Sequence, residues 1–218
     1  MGAQRLVVAA GALATVLAGM GCASGHASVS ATSSRPAAAA AGPQTPSSGI
    51  PARLSAQARP IGRGARFHPG PTGPIVGRCR SPLGARFGVH IEVFAANRVV
   101  LVAAGIGAES PLSHDEGRIS GARCFGALAT LEPTGVVLVR PGARLTVADL
   151  FRSWGQPLSG RRLAGFEAPG DGRVQVFVGG RRRRGQPGAI PLTRHAEIVL
   201  EVGPHVPPHS SYQFPPGS

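Results

Sequence analysis

Residues 89–94, VHIEVF, alternate apolar and polar positions with a period of two. That spacing puts Val89, Ile91 and Val93 on one face of a strand and His90, Glu92 and Phe94 on the other. The turn Ala95-Ala96-Asn97 leads into RVVLVAA, which predicts a hairpin. Residues 124–131 and 135–140 flank Glu132-Pro133-Thr134 as a second pair of strands. RVQVFV, Gly179-Gly180 and RRRR form a third hairpin, and HAEIVLEV at 195–202 closes the series as a strand. IEVFAANR and VQVFVGGR share a Val-x-x-x-x-Arg frame, which is read as coincidence in β-prone sequence rather than as a duplication.

A different period marks one helix. Val147, Leu150, Phe151 and Trp154 follow one another at i, i+3, i+4 and i+7, a single apolar face. Thr146 is the N-cap with Asp149 three residues on, and Leu145 and Leu150 have the spacing of a hydrophobic staple. Gly155 and Pro157 end the helix. Trp154, last in the apolar stripe, is expected in the core rather than on a ligand platform. The fold class is therefore mainly β or α+β: a compact, antiparallel, hairpin-rich domain with one helix.

Outside about 72–207 the patterning stops. Residues 1–5 are a short basic start, and LVVAAGALATVLAGM is an uncharged apolar run that ends at Gly21-Cys22. The run is short for a spanning helix, so 1–22 is read as a signal peptide. Cys22 after Gly21 points to lipid (palmitate-type) attachment, as in bacterial lipoproteins. Gly19 and Met20 depart from the usual lipobox, and ordinary signal cleavage with secretion is the alternative. Residues 23–71, rich in Ala, Ser, Pro and Gly, are a flexible tether, and 208–218 are a Pro-rich tail in which Tyr212 and Phe214 could dock on the domain. The expected location is the extracytoplasmic face of the cell membrane. With Cys22 removed or lipidated, Cys79 and Cys124 are left as an even pair in an oxidising compartment. A disulfide is the expectation, and two buried free thiols are the rival.

Composition changes this picture in one respect. The chain of 218 residues carries a net charge of +13, and all its basic side chains are arginine. A uniform Arg, Ala, Gly and Pro bias weakens the charge as a sign of nucleic-acid binding, and aromatic residues for base stacking are sparse at 5%. Nucleic acid is not an expected partner. The run Arg181, Arg182, Arg183 and Arg184 stands out even so, as a hairpin tip able to grip an anionic envelope polymer or lipid. Its bland reading is a solvated turn.

Candidate chemistry is thin. His90 and Glu92 share a strand face at a spacing that could chelate, His114 sits in a polar HDE loop, and His195 precedes the last strand. Catalytic zinc needs three protein ligands and structural zinc four, and no local cluster supplies three. There is no G-x-S-x-G elbow for a serine hydrolase, and Ser153 and Ser159 have no neighbouring histidine. VGGRRRRGQPG lacks the Lys-Ser/Thr of a phosphate loop and does not open a helix. No catalytic residue and no cofactor is expected.

Five segments in order, from Cys79 through HIEVFAANRVVLVAAGIG, CFGALATLEPTGVVLVRP, LTVADLFRSWGQPLS and IPLTRHAEIVLEVG, resemble an uncharacterised family of bacterial secreted proteins and lipoproteins. That family carries C-L-Y-W-L-H-T-H-D-x-S-G-I-I-H-V-E and F-F-D-I-W-G-Q-P-L motifs, and Trp154-Gly155-Gln156-Pro157-Leu158 is the most specific match. The resemblance implies the fold, supports the disulfide, and implies that closely spaced histidines once formed a metal site. This chain has Ala129, Leu131 and Leu138 where the family places histidine, and Arg86 and Gly88 ahead of His90. The expected function is thus a non-catalytic envelope lipoprotein, a binding module on a degenerate metal-site scaffold, with a polymer or protein partner. The alternative is extracytoplasmic metal binding through His90, His195 and His114.

Overall fold

The structure is a computed structural model and describes residues 58–205 and 207–214. The expected signal segment, Cys22 and residues 23–57 of the expected tether lie outside the described residues. Among the described residues no helix is long and apolar enough to cross a membrane.

Among the described residues the domain is built of eleven strands and one α-helix, with short 3-10 helices at Ala65–Phe67 and Pro187–Ala189. The strands are β1 (Phe87–Ala95), β2 (Arg98–Val99), β3 (Ala108–Asp115), β4 (Arg118–Phe125), β5 (Leu128–Ala129), β6 (Val136–Val139), β7 (Arg162–Leu163), β8 (Phe166–Glu167), β9 (Gln175–Val178), β10 (Arg181–Arg183) and β11 (Glu197–Val202), with α1 (Val147–Trp154) between β6 and β7. Seven strands form the main sheet in the order β10-β9-β11-β1-β6-β5, and β2 pairs with the C-terminal end of β1. β3–β4 and β7–β8 are separate two-stranded ribbons. Among the described residues the fold is mainly β with one α-helix, as the two periodicities predict.

The alternation of β1 holds. Val89, Ile91, Val93 and Ala95 enter the main core with Ile198, Leu200 and Val202 of β11 and Val176 of β9. The apolar face of α1 covers them, and Val147, Leu150, Phe151 and Trp154 are all fully buried. At the start of the helix Thr146 N–H donates to Asp149 Oδ2 at 2.9 Å, which satisfies a backbone donor that the first turn leaves open. Gly155 ends the helix at φ 78°. A side chain there would face both left-handed strain and Thr72 Oγ1 2.2 Å from its Cβ. The two hairpins with the shared Val-x-x-x-x-Arg frame turn through Ala96-Asn97 and Gly179-Gly180, all four at positive φ. Such turns match the strand twist, and they bring Phe94 and Phe177 together over Val199.

Three features differ from the sequence reading. The main sheet is mixed, because β1 and β11 run parallel, from His90↔Glu197 to Ala95↔Val202. Residues 124–131 are not one strand: Cys124 and Phe125 end β4, while Leu128 and Ala129 form β5 beside β6. Gly126 breaks the run, since a Cβ there would lie 2.9 Å from Val76 O. Packing also begins ahead of Thr72. Gly62 N–H donates to Val99 O, Arg66 lies over the Phe166 ring, and Trp154 Nε1 donates to Pro69 O at 3.0 Å.

Cys79 and Cys124 form a disulfide with Cα atoms 5.4 Å apart. Beside it Arg80 and Phe125 exchange backbone hydrogen bonds of 2.9 and 2.8 Å, so the bridge closes a contact that the backbone already makes.

Candidate functional site

The parallel register of β1 and β11 builds a buried polar cluster. His90 and Glu197 are direct cross-strand partners, so their side chains leave the sheet on the same face, and Glu92 is two residues along β1 on that face. His90 Nδ1 lies 2.8 Å from Glu197 Oε2. His90 Nε2 is 3.1 Å from Thr134 O, a carbonyl that can only accept, so Nε2 carries a hydrogen, and a further proton is shared between Nδ1 and Glu197 Oε2. His90 and Glu197 are 6% and 3% exposed, and Glu197 Oε1 is buried with no hydrogen-bond partner. Ligand atoms of His90, Glu92 and Glu197 all lie within 4.8 Å of one another.

Gly135 permits the Thr134 contact. It has φ 80°, and a Cβ would sit 2.5 Å from Ile91 O and 3.1 Å from His90 Nε2. Where β2 and the 133–135 turn part from β1, a cleft of about 110 Å³ opens beside His90 and Glu92.

The C-terminal segment covers this face. His209 Nδ1 donates to both oxygens of Glu92 at 2.8 and 2.9 Å. The Tyr212 ring stacks on His90 with centroids 3.7 Å apart, and Phe214 stacks on His195 at 4.7 Å. Further along, His205 Nδ1 pairs with Glu201, a fully buried carboxylate of β11. Burial, and then the charges of Glu197 and Glu132, push the Tyr212 phenol above its ordinary range.

Of the histidines singled out in the sequence, only His90 enters this group. His114 is exposed on β3 in a separate ribbon. His195 takes positive φ just ahead of β11, and its N–H donates to Gly88 O at 2.8 Å. Glu197 and His209 are the site residues that sequence reasoning missed. The available signal was Glu197 and Glu201 alternating with Ile198 and Leu200 in the last strand.

Ala129, Leu138 and Gly88 are register partners along β5, β6 and β1, so they share the face of His90. There Ala129 and Leu131 pack with Ile119 and Phe125, with Leu138 against them, as a small apolar core under β3 and β4. Arg86 is buried beside it, with Nη1 donating to Ala127 O at 3.1 Å and Nη2 unpartnered. Burial, with the Arg140 charge adding to it, lowers the Arg86 guanidinium to about 10. The group Cys79, Glu109 and Cys124 is not a metal centre, because the disulfide holds both sulfurs.

Burial raises the Glu197 carboxyl above the ordinary carboxylate range; the hydrogen bond and charge of His90 oppose this, and the Glu92 charge adds to it. The folded chain then binds that proton more tightly than the unfolded chain. Its contribution to stability is full below the ordinary value of about 4.3 and declines as pH rises through the folded value. Glu197→Gln cannot titrate in that window. Wild type should therefore lose stability relative to Glu197→Gln between about pH 4 and about pH 7. Urea midpoints of chelator-treated protein at both pH values check this, and a pH-independent difference would contradict it.

No protein-family model, no curated protein and no solved structure matches this chain. The family resemblance therefore stands on the quoted motifs alone.

Proposed function

We propose that this chain is a non-catalytic, envelope-anchored binding module that engages a phosphate-bearing anionic component of the envelope, lipid or polymer, through the β10 edge. The observation that carries this reading is the placement of the arginine run. β10 is the outer strand of the main sheet, and Arg181, Arg182 and Arg183 are exposed along it, followed by exposed Arg184. Among the described residues none of the four forms an ion pair or a side-chain hydrogen bond. Arg181 and Arg183 pair with Val178 and Val176, and Arg182 pairs with Phe177, so the charges fan to both sides of the edge. That geometry suits a flexible polyanion or a lipid surface meeting the edge. The apolar packing of Ala129, Leu131 and Leu138 favours a binding role over metal chemistry at the positions where the resemblance puts histidine. A lipid on Cys22 would hold the module at the membrane, and intact mass of the mature chain reads that directly.

Each arginine near an anionic surface contributes about 1 kcal/mol, screened by salt. A variant with all four changed to glutamine should bind phosphatidylglycerol vesicles and soluble polyphosphate at least about 10-fold more weakly than wild type at low salt. Neither protein should sediment with neutral vesicles. Equal sedimentation of wild type and the fourfold variant would remove the β10 edge as the contact.

A further inference from the structure

A buried carboxylate oxygen without a partner is expensive to keep, and Glu197 Oε1 is one. Two carboxylates, Glu92 and Glu197, stand together here under a stacked tyrosine, Glu197 against the His90 imidazole and Glu92 against that of His209. We propose that His90 Nδ1, Glu92 and Glu197 bind a divalent first-row cation, with zinc as the type ion, and that His209 positions Glu92 for it. This site is separate from positions 129, 131 and 138, which are filled with apolar side chains, and from the β10 edge.

The details of the group suit a metal better than a salt bridge. His90 Nε2–H donates to Thr134 O, which orients the ring with Nδ1 toward Glu197, and a bound cation would displace the proton that these two groups share. Backbone or carboxylate partners on the outer imidazole nitrogen orient metal-binding histidines in this way. His209 does the same for Glu92 from the C-terminal segment. Zinc bonds to nitrogen and oxygen are about 2.0–2.2 Å long, so two ligands at a tetrahedral angle stand about 3.4 Å apart. The His90–Glu197 separation of 2.8 Å has only to open by a small side-chain rotation. One imidazole and two carboxylates suit zinc, manganese or iron in the divalent state. The cleft reaches His90 and Glu92 from the Thr134 side, and Glu197 is not part of its lining. A dication would also offset the two acid charges and give Glu197 Oε1 a partner.

The untagged full chain, stripped with chelator, should take up one equivalent of zinc chloride by calorimetry with Kd below about 1 µM, and bind cobalt with a visible absorption band. Glu197→Gln and His90→Ala should each weaken zinc at least about 100-fold and abolish the cobalt band, and His209→Ala should weaken it about 10–100-fold. His114→Ala, at an exposed position on another ribbon, should change nothing. Glu197→Gln keeps the side-chain shape and removes a buried charge; should it fail to fold by circular dichroism, Glu92→Gln at the half-buried position gives the same reading. The proposal is overturned by zinc binding no tighter than about 100 µM, by tight binding that survives the glutamine variant, or by binding that His114→Ala removes.

Discussion

Replacing Trp154 with alanine should destabilise the domain by about 3–5 kcal/mol, the range for removing a fully buried large aromatic. The indole has no exposed surface and is the last residue of the α1 apolar face. It packs against Phe151 with ring centroids 5.5 Å apart. The cost has two parts. The cavity removes dispersion contacts that neighbours on the sheet cannot all recover, since β1 and β11 are held by ladder hydrogen bonds and cannot collapse inward. The second part is polar: Pro69 O loses the Nε1–H donor that ties the N-terminal approach of the chain to the helix. Trp154→Phe separates the two, because it keeps most of the ring packing and removes the donor, so its loss should fall well below that of alanine. The chain has a single tryptophan, so variant unfolding in urea has to be followed by far-UV circular dichroism. A loss under about 1 kcal/mol for the alanine variant would be incompatible with this burial.

The second large effect belongs to the disulfide. The bridge spans 45 residues, for which the chain-entropy model gives about 4 kcal/mol, with measured values typically about 2–4 kcal/mol. The paired backbone bonds of Arg80 and Phe125 remain when the bridge is removed, and Arg140 still donates to Arg78 O and Gly126 O. The native arrangement should therefore persist in a Cys79→Ala, Cys124→Ala variant, and the loss should come from greater freedom of the unfolded chain. Urea midpoints of the oxidised protein, the reduced protein and the double variant measure this. The two thiol-free or reduced forms should agree with each other and fall below the oxidised one. Two thiols that react with a labelling reagent before any reductant is added would show that the bridge is not formed.

Local elements were largely legible in the sequence because their signals are local. The period-two alternation of residues 89–94 sets which side chains of β1 face the core, and the i, i+3, i+4, i+7 stripe with Thr146 and Gly155 bounds α1 within a residue. The β9–β10 hairpin follows from two adjacent glycines between strand-forming residues. The β3–β4 ribbon was not anticipated: AESPLSHDEGRISGARCF has little apolar alternation, and its residues are mostly exposed or half-buried, so it pairs without the signature of a core strand. Residues 60–69 were read as tether because they are Gly- and Pro-rich, yet Phe67 packs on the core and Pro69 receives the Trp154 hydrogen bond. Composition reports the average tendency of a segment and misses single anchoring contacts.

The candidate site was half legible. His90 and Glu92 are two apart on one strand, so their shared face is a property of the β-strand itself. Their partner Glu197 lies 107 residues beyond His90 and meets it only because β11 inserts parallel to β1. A hairpin-based reading pairs neighbours in the chain antiparallel and has no means of placing a parallel strand that arrives by a long connection. His209 is further still from Glu92 in sequence, in a segment whose prolines and serines carry no periodicity.

By itself the sequence determined which faces of the strands and helix are apolar, where the helix starts and stops, and that the family-like positions 129, 131 and 138 carry no ligand atoms. Those properties belong to single side chains and their nearest neighbours. Only the tertiary structure decided that Glu197 stands opposite His90, that the C-terminal segment lays His209 and Tyr212 over them, and that the arginine run lines an outer edge of the sheet. Each of these depends on strand order and register. These are set by the packing of the whole core, in which a shift of β11 by one residue would turn Glu197 into the core and Ile198 toward His90.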